Sequence, residues 1–274
     1  MVNIIRTYAI NVYLLRNLLK GTVFMEILLK ENEKIEDLQC NGLKIIQNKK
    51  WFCFGMDAVL LTNFCDVKNN SAIVDLGTGT GIIPILLSGK RNISKAIGIE
   101  IQAEVAEMAA RSVELNKLQN KIDILNIDLN EAINHLQPNS FDAVISNPPY
   151  KLNKSGLVNP NDQKAISRHE IKCTLEDVIK AAAALLKQYG RFYMVHRPDR
   201  LADIICLLRK YRLEPKQIRF VHPKINEKPN MVLIRASKYG NPELKFDPPL
   251  YIYTEDGKYT EDVYRIYGIN NLKE

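Results

Sequence analysis

From Ser71 onward, short β-branched apolar runs alternate with stretches in which apolar positions recur every three or four residues. The runs Ala72–Leu76, Ala96–Glu100, Ile122–Ile127, Phe141–Ser146 and Arg191–Val195 are nearly unbroken in their apolar character, the pattern of strands buried on both faces. Between them Ile82–Ser88, Ala103–Asn116 and Leu175–Lys187 read as helices, and in the second Val105, Met108, Ser112 and Leu115 share one face. A helix at Arg200–Tyr211 and strands at Gln217–His222 and Met231–Ala236 bring the strand count to seven. This alternation predicts an α/β domain over residues 71–240: a Rossmann-like, seven-stranded, mostly parallel sheet with helices on both faces. Residues 25–70 read as a short N-terminal extension. Residues 241–274 read as a C-terminal tail, whose aromatic alternation around Glu255-Asp256-Gly257 predicts a hairpin packed on the domain. Lys151–Cys173 has no period, and a loop of 23 residues leaving a strand end is of the kind that carries function.

Composition narrows the class. With 46% hydrophobic and 25% charged residues in 274, the chain has enough apolar content for a sizeable core. Its five cysteines are odd in number and form no Cys-x-x-Cys pair, and no histidine stands at metal-ligand spacing. A disulfide framework and a structural zinc site are thereby disfavoured; no metal and a cytoplasmic setting are the expectation. Residues 1–24 are apolar and basic without a single acid, but Arg6, Arg16 and Lys20 interrupt them, and no membrane span is expected. They lack the small-x-small site of a signal peptide. A surface helix presenting Leu14, Leu15, Leu18 and Leu19 has few cations for binding lipid. The preferred reading is a leader or extension ahead of a start at Met25, the Lys20-Gly21 codons then resembling a purine-rich ribosome-binding site.

Charge changes the picture more than composition does. The net charge is +7, yet residues 151–240 alone hold 19 basic against 8 acidic residues, a local +11. Such a concentration calls for a polyanionic partner, with a merely solvated lysine-rich surface as the alternative.

Two motifs carry candidate chemistry. The first strand ends in Asp75-Leu-Gly77-Thr78-Gly79-Thr-Gly81 and enters a helix. Glycine is needed where backbone turns tightly and meets a ligand closely, so a nucleotide-like cofactor is implied. Ile82 stands where the dinucleotide fingerprint needs a small residue, and no lysine follows Gly81 as a phosphate loop requires. The second motif, Asn147-Pro148-Pro149-Tyr150, closes the fourth strand at the edge where open α/β sheets bind ligands. Given 25 Asn, 12 Pro and 12 Tyr, chance supplies this tetrapeptide in roughly two chains per thousand. A rigid paired-proline turn does not explain the flanking Asn and Tyr.

The glycine pattern resembles motif I of class I S-adenosylmethionine methyltransferases. From Asp37 to about Lys238 the chain is most similar to the small-domain methyltransferases, in particular the bacterial tRNA adenine-N6 enzymes that modify a base beside the anticodon. Phe54-Gly55-Met56-Asp57-Ala58-Val59-Leu60-Leu61, the glycine loop, Glu100, Asp128-Leu129 and the Asn-Pro-Pro-Tyr tetrapeptide carry the likeness. The resemblance implies S-adenosylmethionine as cofactor. Glu100 would then accept from the ribose hydroxyls, Ile101 touch the adenine face, and Asp128 accept from the adenine amino group. Asp57 would lie near the methionine end, or else only cap its helix. Asn147 and the Pro148 carbonyl would accept from the two N–H groups of a substrate amine, and Tyr150 would stack on the substrate. Lys151, Lys154, Lys164 and Arg168 are the substrate-side cations expected to meet RNA, most plainly tRNA, though Arg168 fits a structural salt bridge equally well. The tetrapeptide also serves release-factor glutamine-N5 and ribosomal RNA guanine-N2 methyltransferases, which remain alternative acceptors. An RNA-binding assembly factor with a vestigial cofactor site is the non-enzymatic alternative.

Overall fold

The computed structural model describes residues 29–50, 55–148 and 173–269. An antiparallel hairpin of β1 (Glu33–Asp37) and β2 (Lys44–Asn48) comes first. There follow α1 (Met56–Phe64), β3 (Ala72–Leu76), α2 (Ile82–Lys90), β4 (Lys95–Ile99), α3 (Ala103–Leu115), β5 (Ile122–Leu125), α4 (Ala132–His135) and β6 (Phe141–Ser146). Then come α5 (Leu175–Leu185), β7 (Leu186–His196), α6 (Leu201–Lys210), β8 (Leu213–His222) and β9 (Met231–Lys238). The tail adds β10 (Lys245–Phe246), β11 (Leu250–Tyr251) and α7 (Glu261–Ile266).

The expected seven strands are β3 to β9, in spatial order β5-β4-β3-β6-β7-β9-β8, all parallel except β9. Among the described residues the tail widens this sheet to nine strands by running β10 and β11 parallel to the outer edge of β8. The anticipated hairpin is reduced to one antiparallel bridge, Tyr253 to Tyr259, across the Glu255-Asp256-Gly257 turn.

Side chains alternating along each strand divide the core in two. Ile73, Ile145, Tyr193 and Val195 face one side with Leu60, Ile85 and Val263 of the helices. Val74, Val144, Phe192 and Met194 face the other, with Ile179, Ile204 and Leu208. The hairpin is fastened to α3, where Ser112 Oγ accepts from Ile46 N at 3.0 Å and Arg111 grips the buried Glu33 carboxylate through both terminal nitrogens, at 2.8 and 2.7 Å.

The helix expected over 175–187 stops at Leu185 because Leu186 already pairs with Phe141 of β6. The next partners are Arg191 and Ala143, so Lys187 to Gly190 bulge out of the ladder. Tyr189 sits there at φ 63°, and a Cβ on Gly190 would lie 2.9 Å from Leu186 and from the Lys187 carbonyl. Buried Lys238 donates to the Ala183 and Leu186 carbonyls, placing a cation at the negative end of α5.

Candidate active site at the carboxyl edge

The chain runs outward from β3 through β4 to β5, then returns to the other side of β3 as β6. Open α/β sheets bind ligands at such a reversal, outside the carboxyl ends of the two strands that part there. Those ends carry the glycine loop and Asn147.

Gly77, Gly79 and Gly81 all take left-handed backbone, with φ of 75°, 56° and 83°. Gly77 N and Thr78 N both donate to the Ile99 carbonyl, at 3.0 and 2.8 Å, folding the loop over the end of β4. Among the described residues no atom lies within 4 Å of a Cβ on Gly77 or Gly79, so these glycines leave room beside them, whereas Gly81 caps α2 close to Ala109. Thr78 turns inward and its hydroxyl donates to Asp75 Oδ2 at 2.7 Å. Gly98 makes room for that threonine, since a Cβ there would stand 2.8 Å from its methyl.

Three carboxylates come from strand ends. Glu100, just past β4, is 6% exposed and accepts from Gly79 N and Gln102 N, each at 3.0 Å. Two backbone donors fix its plane, Gln102 Nε2 adds a longer bond at 3.4 Å, and a carboxylate with about four lone-pair sites keeps capacity for a ligand hydroxyl. Asp75 is fully buried, and its Oδ1 has no hydrogen-bond partner among the described residues. Burial pushes its carboxyl up to about 7 against the opposing hydrogen bond from Thr78, and nearby Glu100 adds to the rise. Asp128 follows β5 and caps a 3-10 turn by accepting from Asn130 N at 2.9 Å, so it has the structural role that a lone acid after a strand suggests. Ile101 is half-buried beside Glu100, and Leu129 packs against the second core.

On the far side of the crevice, Ser146 Oγ donates to the Leu76 carbonyl at 2.8 Å and ties the end of β6 to that of β3. Asn147 Nδ2 then donates to Asp57 Oδ2 at 3.0 Å. Asp57 is in the first turn of α1, where its Oδ1 accepts from Ala58 N, and Gly55 leaves it room: a Cβ there would lie 2.7 Å from that oxygen. Asn147 therefore has its amide nitrogen toward Asp57 and its oxygen directed away. The glycine loop, Asp57, Asp75, Glu100, Asp128 and Asn147 thus converge on one edge. An open glycine cradle bordered by carboxylates fits a nucleoside bearing positive charge better than one bearing phosphates. Pro148 is buried beside Asn147, while Pro149, Tyr150, Lys151, Lys154, Lys164 and Arg168 lie outside the described residues, as does the 1–24 leader reading.

Nothing in the residue pattern points to Tyr267 in this neighbourhood. It packs against the first core where α7 meets α1, and its phenol is pushed up to about 12, first by burial, then by Tyr259 and by the charge of Asp57, so the tail reaches the neighbourhood of Asp57. Asn126 was also unforeseen; its amide donates to the Glu100 carbonyl at 2.8 Å, and a polar residue inside the β5 pattern was its only signal. Among the described residues no His, Cys, Asp and Glu cluster suits a metal, and no helix is long and apolar enough to cross a membrane.

The family model described as "Methyltransferase small domain" matches residues 55–209. A tRNA1(Val) (adenine(37)-N6)-methyltransferase of Porphyromonas gingivalis is 30% identical over 223 residues, covering 77% of this chain and 86% of its own. One from Phocaeicola vulgatus is 27% identical over 206 residues, covering 74% and 86%. Among solved structures, an Agrobacterium tumefaciens protein described as a predicted O-methyltransferase has a TM-score of 0.63 at 26% identity, over 78% of this chain and 96% of that one. Geranyl diphosphate C-methyltransferase of Streptomyces coelicolor, solved with S-adenosyl-L-homocysteine, has a TM-score of 0.51 at 12% identity over 66% and 78%, a likeness of fold alone.

Proposed function

The chain belongs to the methyltransferase small domain family, and from that premise we propose that it transfers the methyl group of S-adenosylmethionine to N6 of an adenine in a tRNA anticodon loop. The observation that carries this reading is Asn147, set at the sheet reversal with its amide nitrogen held by Asp57. The names of the Porphyromonas and Phocaeicola relatives support adenine and tRNA as the acceptor.

The glycine loop and Glu100 would hold the adenosine of the cofactor, and Asp57 and Asp75 suit its cationic methionine end. When bound, S-adenosylmethionine supplies a methyl on a sulfonium, an electrophile that needs no metal. The chain's task is to make a poor nucleophile attack. An exocyclic amino nitrogen has its lone pair delocalised into the ring. Asn147 Oδ1 and the Pro148 carbonyl, accepting from its two N–H groups, favour the pyramidal form in which that pair is localised and hold it in line with the methyl. Positive charge growing on nitrogen is stabilised by the same acceptors. The N–C bond forms as S–C breaks, and one N–H proton passes to water. Proline at positions 148 and 149 removes two backbone donors, which leaves the turn rich in acceptors. Tyr150 offers a ring for stacking worth roughly 1 to 3 kcal/mol.

Incubation of the purified protein with S-adenosylmethionine and unmodified tRNA, followed by mass analysis of nucleosides, should yield N6-methyladenosine. N2-methylguanosine, or methylation only of a protein glutamine, would replace the acceptor. Tyr150→Phe should be mild and Tyr150→Ala severe in the same assay.

A further inference from the structure

At the opposite, amino edge of the sheet a cavity of about 490 Å3 opens beside the Lys187–Gly190 bulge. Among the described residues five cations line it: Lys68, Lys187, Arg191, Lys216 and Arg235. Two carboxylates share the lining, and each is already engaged, Asp142 with Lys187 and Asp66 with Arg191, both at 2.8 Å. Lys216 Nζ donates to the Asn241 carbonyl at 3.1 Å, and its contact to the Glu243 carboxylate is long, at 3.9 Å, so its charge is only weakly neutralised. Lys68 has no ion-pair partner among the described residues, and Arg235 Nε is buried without a hydrogen-bond partner among them. A buried guanidinium donor left unmatched is costly unless something completes it. At the rim stands Tyr189, 65% exposed and held in left-handed backbone that a tyrosine seldom adopts.

Excess positive charge, an unmatched guanidinium N–H, a volume in the range of small-molecule pockets and an exposed ring point to one class of ligand. We propose that the amino-edge cavity binds a nucleotide, its phosphate among Lys68, Lys216 and Arg235 and its base on the Tyr189 ring. A guanidinium matches phosphate oxygens in a planar fork, and every base presents a face for stacking. The ligand is either a free mononucleotide or one nucleotide of an RNA strand, and the site stands whether or not the carboxyl edge methylates tRNA.

The test is calorimetry at low salt with inorganic phosphate, adenosine monophosphate and a short single-stranded RNA, all in saturating S-adenosylhomocysteine so that the carboxyl edge is filled. Adenosine monophosphate should bind, and Arg235→Gln should weaken it roughly tenfold, the loss of one charge-assisted hydrogen bond. Lys68→Gln, an exposed change that does not threaten folding, should act in the same direction, and Lys258→Gln in the tail should not. Tyr189→Asn suits the left-handed backbone and should weaken adenosine monophosphate while sparing phosphate. Binding of the mononucleotide and the RNA with similar affinity, both lost in Arg235→Gln, identifies a free-nucleotide site. Binding of RNA alone, with a salt dependence that the same variants flatten, identifies a strand contact. Wild-type affinity for all three probes in Lys68→Gln and Arg235→Gln overturns the proposal, as does the absence of any binding. Adenosine monophosphate binding untouched by Tyr189→Asn overturns the nucleotide assignment.

Discussion

At the carboxyl edge of the sheet the strand ends deliver Asp75, Glu100, Asp128 and Asn147, while at the amino edge β7, β8 and β9 deliver Lys187, Arg191, Lys216 and Arg235. This separation follows helix polarity. In a β-α-β crossover the carboxyl end of a strand leads into a helix N-terminus, where partial positive charge favours acids; the amino end receives helix C-termini, which favour cations. Asp57 in the first turn of α1 and Lys238 on the last carbonyls of α5 are examples from the two edges. The +11 segment begins directly after the Asn147-Pro148-Pro149-Tyr150 tetrapeptide, yet the structure sends part of it, Lys187, Arg191, Lys216 and Arg235, to the other end. Charge summed along a chain therefore does not say which face it serves.

The contrast can be broken most sharply at Asn147. Asn147→Ala should lower turnover roughly 100-fold or more, because the lost acceptor acts mainly in the transition state. Affinity for S-adenosylhomocysteine should stay within about twofold of wild type by the same reasoning; a comparable loss of affinity in calorimetry would make Asn147 a cofactor ligand instead.

Salt distinguishes the partners of the two edges. Affinity for tRNA should fall steeply across a salt series, and removing Lys151, Lys154, Lys164 and Arg168 together should reduce the log–log slope by about 3. Cofactor affinity, with no phosphate involved, should be flat. If Lys68→Gln with Arg235→Gln reduces the tRNA slope as well, both edges touch RNA.

Gly79→Leu should weaken cofactor binding by roughly tenfold or more, since its side chain would fill the open cradle and strain a left-handed position. The smallest effect is one of pH. Asp75 holds its proton more tightly in the folded protein, near 7 against the usual 3.8, so its contribution to stability is full below about 4 and is lost as pH rises through 7. Asp75→Asn removes that dependence. Melting temperatures should shift progressively in the variant's favour between pH 4 and 7, and a constant offset would show that the carboxyl titrates normally.

What was legible in the sequence were features that local chemistry dictates. The strands β3 to β9 were visible because strands buried on both faces are nearly continuous apolar runs. The left-handed glycines of the loop are likewise written in residue type. The β1–β2 hairpin escaped notice because Glu33-Lys-Ile-Glu-Asp37 has too few apolar positions to show a period, and its anchor Arg111 is 78 residues away. The end of α5 was misplaced because Leu185-Leu186 continues the helical pattern, and only pairing with Phe141 ends it. The Asp57 to Asn147 bond spans 90 residues, so spacing alone could not disclose it.

The tail's two short strands have a consequence for handling the protein. β8 is the last long strand of the sheet, covered at Gln217–Ile218 by β10 and at Val221–His222 by β11, while Pro215 has no N–H to offer. An uncovered strand edge templates the addition of another chain. Clipped after Gly240, the protein would lose Val263 from its core as well as the cover of β8, and would leave solution by edge-to-edge aggregation that turbidity registers.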